Sequence, residues 1–250
     1  MSKQTIFIDD GGVEGAPVLF LHSLAGDVSQ WQQHLAHLRQ QGRRAIAFDF
    51  YGHGQSASLA SGDYSIPSLV ANVEQVIAQL NLSQVILVGH SLGGAVATMF
   101  AGKHPERVAG LLLVDAAGDS TQIPEERVQG LLGALASEAY TAVIHSYWEE
   151  ILVGATDTTR QQVLQGLAAT PQAVVLTVFQ SLVRYNPIPA LHSYPGNKFL
   201  IHTTHANAPF SLHNLLPDMP NIYLEDVSHW LQLDKPRIFQ KILDKFLLQI

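Results

Sequence analysis

Short apolar runs alternate along the chain with longer segments of helical period, and this alternation limits the possible folds more than any other feature. Val18 to His22, Ala45 to Phe50, Gln84 to His90, Gly110 to Asp115 and Lys198 to Thr204 read as buried strands, and Asn221 to Asp226 as a less hydrophobic one. Between Ser68 and Leu80 the residues Leu69, Val70, Val73, Val76, Ile77 and Leu80 form a helical stripe. A last helix over Pro236 to Leu248 carries its proline in the first turn, where the missing N–H costs nothing. Continuous apolar strands separated by helices predict a mostly parallel sheet covered on both faces, an α/β class fold. The N-terminal "MSKQTIFIDDGG" adds alternating, strand-like residues without the apolar core of a signal peptide.

The alternation stops after Asp115. From 118 to 185 the sequence is helix-like without a strong strand, which predicts a helical cap over residues 118–185 inserted into a core of 1–117 and 186–250. Hydrophobic residues make up 47% of the chain and charged residues 14%, enough for a large core and too few charges for disorder. A formal net charge of -7 without a Lys/Arg run argues against a nucleic-acid partner. There is no cysteine, so disulfides, thiolate metal sites and thiol catalysis are excluded. No segment approaches the ~20 apolar residues of a membrane span. The expectation is a soluble cytoplasmic protein, a monomer or homodimer, that acts on a small-molecule substrate without membrane, metal or cofactor.

Gly89-His90-Ser91-Leu92-Gly93-Gly94 fits G-x-S-x-G where a strand ends and a helix begins. A nucleophile on such a turn needs strained backbone angles and neighbours without side chains. It gains an exposed Oγ beside the positive end of a helix, and the Leu92 N–H faces a developing oxyanion. Ser91 is the candidate nucleophile.

Three further segments accompany it. "LFLHSLAGDVSQW" is similar to the oxyanion loop of the α/β-hydrolase superfamily, "DFYGHGQS" (Asp49 to Ser56) to its D-x-[RY]-G-[HR]-G-x-S loop, and "VSHWLQLDKP" to the segment around its histidine, G-H-x-x-x-x-E-x-P. Four motifs in order make the chain resemble that superfamily, and the first loop is most like its serine-esterase and enol-lactonase branch. The resemblance implies an α/β-hydrolase fold with the cap inserted after the sixth strand. It also implies His229 as the general base, with Ser228 at the usual glycine and Asp234 at the usual glutamate. The second oxyanion donor maps to the Leu24 N–H, beside Ser23 at a glycine position. His22, His53 and His90 read as structural residues, and no histidine spacing suggests a metal site.

The common position of the acid, after the strand containing His202, aligns with Ala206, with Thr203 at the glycine. No Asp or Glu occurs from Asn186 to Pro217. A minority of the superfamily carries its acid at the strand end occupied here by Asp115, which becomes the candidate. Asn207, Asp226 and, more remotely, Asp119 are the alternatives. Ser23, Trp148 and Trp230 are expected at the substrate pocket, and Leu131, Leu132, Leu135, Val143, Ile151, Leu152 and Phe179 can line it from the cap.

The function implied is hydrolysis of a small-to-medium apolar carboxylic ester or lactone through an acyl-enzyme. A C–C hydrolase or lyase on the same residues, a cofactor-free dioxygenase using His229 and Asp115, and a ligand-binding receptor with residual hydrolysis are the alternatives. A serine at position 91 excludes a haloalkane dehalogenase, whose nucleophile is aspartate.

Overall fold

A computed structural model describes residues 5–250; the first four residues of the N-terminal reading lie outside it. The strands are β1 (Ile8–Gly11), β2 (Glu14–Leu21), β3 (Arg43–Phe48), β4 (Val85–His90), β5 (Val108–Val114), β6 (Asn197–His202) and β7 (Asn221–Tyr223). They form one sheet in the order β1-β3-β2-β4-β5-β6-β7, parallel except for the β1–β3 pair. Helices α1 (Gln32–Gln40), α2 (Ile66–Gln79) and α3 (Leu92–Lys103) alternate with the strands. Between β5 and β6 lie α4 (Glu125–Leu135), α5 (Tyr140–Ile151), α6 (Asp157–Ala169), α7 (Gln172–Leu182) and α8 (Ile188–Ser193), and α9 (Leu212–Leu215), α10 (Leu231–Asp234) and α11 (Pro236–Leu247) follow. The inserted helices thus follow the fifth strand, not the sixth, because among the described residues only β1 flanks β3 at that edge.

Period-two alternation divides the core between the two faces of the sheet. Leu19, Leu21, Leu87, Leu111 and Leu113 face α2, α3 and the inserted helices. Phe20, Ile86, Val88, Leu112 and Val114 face the other way, onto Leu35 and Leu38 of α1 and Phe239, Leu243 and Phe246 of α11. Both faces are dry, so β4 is buried at every position and reads as an unbroken apolar run. Helix α2 starts at Ile66, ahead of the stripe, because the Ser65 hydroxyl accepts the Ser68 N–H and caps the first turn. No single helix among the described residues is long and apolar enough to cross a membrane.

Two buried histidines tie this fold to pH. Burial lowers His34 to about 4, and burial together with the neighbouring His22 lowers His53 to about 3. Both are neutral in the folded chain, while the unfolded chain binds protons near the ordinary value of 6.5. Unfolding therefore takes up protons, and stability falls as pH drops from about 6.5 toward 4. The full His34 shift corresponds to roughly 3 kcal/mol. Urea midpoints measured between these pH values are expected to fall, and His34→Gln, which keeps a donor for the Gln232 carbonyl, is expected to flatten the slope; an unchanged slope would contradict the assignment.

Candidate active site

Strand β4 ends at His90, and Ser91 turns the chain into α3 with φ 53° and ψ -114°. Such a backbone costs a non-glycine residue about 1–3 kcal/mol and persists only where neighbours over-determine it. Here the Ser91 N–H donates to Val114 O at 3.0 Å and Ser91 O accepts the Ala95 N–H at 3.0 Å. A Cβ on Gly89 would run into the Gly93 carbonyl, and one on Gly93 into the Leu21 carbonyl. The motif glycines thus admit the turn and bring the loop after β2 against it. The Ser91 hydroxyl has no protein partner among the described residues and faces a cavity of about 290 Å³.

Asp115 follows β5, also with a positive φ, 43°, and its N–H donates to Ile201 O at 2.7 Å. Burying a carboxylate is costly unless donors surround it. Its Oδ1 accepts the Thr203 N–H at 2.8 Å, and its Oδ2 accepts the Thr203 hydroxyl at 2.9 Å and His229 Nδ1 at 2.6 Å. A carboxylate only accepts, so the geometry assigns a proton to His229 Nδ1, and in the neutral imidazole Nε2 is then the nitrogen with the lone pair. Asp115, His229 and Ser91 all border the same cavity.

The other acid candidates are elsewhere. Asn207 and Asp226 are exposed, and Asp119 accepts hydrogen bonds from Thr121 and Gln122. Thr203 was not singled out as a functional residue from sequence, although the missing acid after β6 and a hydroxyl residue at the glycine position together signal it.

Neighbouring histidines act as fixed struts. His90 Nε2–H donates to the His229 carbonyl at 2.8 Å, while Nδ1 accepts from Gln232 Nε2 at 3.1 Å. Burial holds His90 well below its ordinary value, so it stays neutral in that role. His22 donates from Nδ1 to Ser23 O at 2.8 Å and accepts the Phe50 N–H on Nε2 at 3.0 Å, which braces the loop carrying Leu24. Among the described residues the Leu24 N–H has no protein acceptor; the Leu92 N–H opens α3 and has no intrahelical one.

The expected pocket residues need correction. Ser23, Trp148 and Trp230 do not border the cavity. The Ser23 hydroxyl donates to Gln30 Oε1 at 3.2 Å and accepts Trp230 Nε1–H at 3.2 Å, so an indole that must find an acceptor has turned it inward. Trp148 packs on Trp230 with centroids 6.4 Å apart, and both are buried. Of the cap residues expected to line the cavity, Leu131, Ile151 and Phe179 do so, joined by Ile123, Tyr147, Leu182 and Val183, with Ser120, His205 and Ser211 as polar groups. Leu132, Leu135, Val143 and Leu152 pack away from it.

A parallel sheet with a serine elbow, an imidazole and a carboxylate at the carboxyl ends of its strands defines an α/β fold of the nucleophile-elbow class. The chain belongs to the alpha/beta hydrolase fold family, whose pattern matches residues 16–187. It is similar to a non-heme haloperoxidase of Rhodococcus erythropolis, 35% identical over 127 residues, covering 50% of this chain and 46% of that one. The chain spans less than half the length of the curated relatives it matches. Among solved structures it is similar in fold to an esterase from Exiguobacterium antarcticum (TM-score 0.84, 20% identity, 97% of this chain and 95% of that one). It is also similar in fold to the enol-lactonase from Burkholderia xenovorans LB400 (TM-score 0.78, 19% identity, 97% and 96%).

Replacing Thr203 with valine keeps its shape but removes one of the donors to a buried carboxylate. The expected cost is about 1.5–3 kcal/mol, the range for hydrogen bonds to charged groups, read as a lower urea midpoint. Wild-type stability in Thr203→Val would contradict the role given to the hydroxyl.

Proposed function

We propose that the protein is a serine hydrolase that cleaves small-to-medium apolar carboxylic esters or lactones through an acyl-enzyme. The observation that carries this reading is the 2.6 Å contact of His229 Nδ1 with the buried Asp115 carboxylate beside the cavity that Ser91 also borders. His229 Nε2 takes the Ser91 proton as Oγ attacks the substrate carbonyl, and the Leu24 and Leu92 N–H groups receive the oxyanion. The imidazolium then protonates the leaving alkoxide, and a water activated by the same nitrogen releases the acid. Asp115 fixes the tautomer and stabilises the imidazolium. The nucleophile, the base and the oxyanion donors are all groups of the chain, so the scheme includes no metal or cofactor.

Residues 118–185 serve as a cap that forms the acyl side of the cavity. At about 290 Å³ it lies at the small end of ligand pockets, its wall is largely aliphatic and aromatic, and it includes no Lys or Arg. That favours a short neutral acyl group over an anionic one. The esterase and enol-lactonase named among the fold neighbours support the same reaction class.

On p-nitrophenyl esters, Ser91→Ala is expected to abolish turnover and Asp115→Asn to lower kcat by ~10^4-fold. Asn207→Ala is expected to leave turnover unchanged; the reverse pattern for Asp115 and Asn207 would overturn the assignment. Butyrate esters should be turned over at least ~10-fold better, in kcat/KM, than dodecanoate esters. Oxygen uptake that survives Ser91→Ala would point instead to a dioxygenase built on His229 and Asp115.

A further inference from the structure

The turn joining α5 to α6 is fastened directly to the loop that carries His229. The His229 N–H donates to Ile151 O at 3.1 Å, at the end of α5. The Thr156 N–H, at the start of α6, donates to Asp234 Oδ1 at 3.0 Å. Asp234 Oδ2 in turn accepts the Ser228 N–H at 2.8 Å and the Ser228 hydroxyl at 2.6 Å. Gly154, with φ 89°, lies so near that a Cβ would sit 2.8 Å from the Val227 carbonyl oxygen. No step of the proposed reaction uses Asp234.

We propose that Asp234 is a positioning residue that makes the seating of the α5–α6 turn and the alignment of the His229 imidazole a single equilibrium. The inference rests on the catalytic reading of His229. An imidazole points where its main chain lets it, and this main chain has few supports. From the elbow side the His90 ring holds the His229 carbonyl at 2.8 Å. From the inserted helices Ile151 O holds the amide, and Asp234 holds both the preceding residue and the turn that follows Ile151. Removing the carboxylate releases the Ser228 end of the loop and the Thr156 end of the turn together. The Ile151 hydrogen bond and the close packing of Gly154 on Val227 are left to keep them in register, while from the loop after β6 His205 Nε2 holds the Val153 carbonyl at 3.2 Å. A displacement of about 1 Å in a reacting group is enough to lower a rate ~10²-fold.

Two departures from the resembled motif fit this role as a pair. Where that motif has glycine and glutamate, this chain has Ser228 and Asp234. The Ser228 hydroxyl provides a donor that meets the shorter carboxylate. It also accepts the Trp230 N–H at 3.1 Å, so the bridge spans both sides of His229. The pair therefore acts as one unit, and each member changed alone should be worse than both changed together.

The test uses purified Asp234→Ala, Gly154→Ala, Ser228→Gly, Asp234→Glu and the double variant Ser228→Gly/Asp234→Glu, each at a temperature where circular dichroism shows it folded. Three readouts are taken: kcat and KM on p-nitrophenyl butyrate, the low-field proton NMR signal of His229 Nδ1–H, and hydrogen exchange of residues 152–156. Asp234→Ala is expected to lower kcat roughly 10- to 100-fold at nearly constant KM, to speed solvent exchange of the imidazole proton, and to deprotect the turn. Gly154→Ala, which does not touch the imidazole, is expected to move all three in the same direction, and the double variant to recover kcat relative to either single change. An Asp234→Ala protein whose imidazole signal and turn protection match the parent's would overturn the proposal. If the parent turns over no ester, the catalytic reading fails, while the proton signal and the exchange pattern still decide whether turn and histidine are coupled.

Discussion

The hydrogen bond between the Asp115 carboxylate and His229 Nδ1 is the interaction on which the site depends. It joins residues 114 positions apart in sequence, and the sheet makes it possible. Val114 pairs with Ile201 in the β5–β6 ladder, so the chain leaves both strands side by side, with Asp115 next to Thr203. The Thr203 amide and hydroxyl then supply the donors without which a carboxylate this deeply buried would be too costly to keep. Asp115, at the end of β5, thereby meets both the His229 imidazole and the Thr203 side chain just after β6.

The histidines show how environment divides one residue type into different roles. His22 and His90 are buried, with burial holding each below its ordinary value, and each uses one ring nitrogen as donor and the other as acceptor. They act as rigid neutral links that place the loop after β2 and the His229 main chain. His229 has its Nδ1 occupied by a carboxylate and borders the cavity, the arrangement that the proposed general-base role of Nε2 requires. The contrast lies in partners and solvent, not in the side chain itself.

Much of this was legible in the sequence, for identifiable reasons. The inner strands read as continuous apolar runs because both faces of the sheet are dry, and the elbow read clearly because its glycines answer to backbone contacts within a few residues. Strand ends were less legible: β7 stops at Tyr223, where the ladder with β6 ends, although the strand expected from the sequence runs on to Asp226. The pocket wall was least legible. Trp148 and Trp230 look like lining residues, but their size takes them into the core, and the wall falls to Tyr147, Ile123 and Leu182 through helix packing that no local pattern records. The Ser228–Asp234 bridge was visible only as two separate departures from a motif until the geometry joined them.

The most direct test is covalent. A fluorophosphonate ester should attach to the protein once, and peptide mass mapping should place the adduct on Ser91, with labelling slowed by orders of magnitude in Asp115→Asn and unchanged in Asp226→Asn. An adduct on another residue, or labelling of Asp115→Asn at the parent's rate, would contradict a serine activated by His229 and the carboxylate at the end of β5.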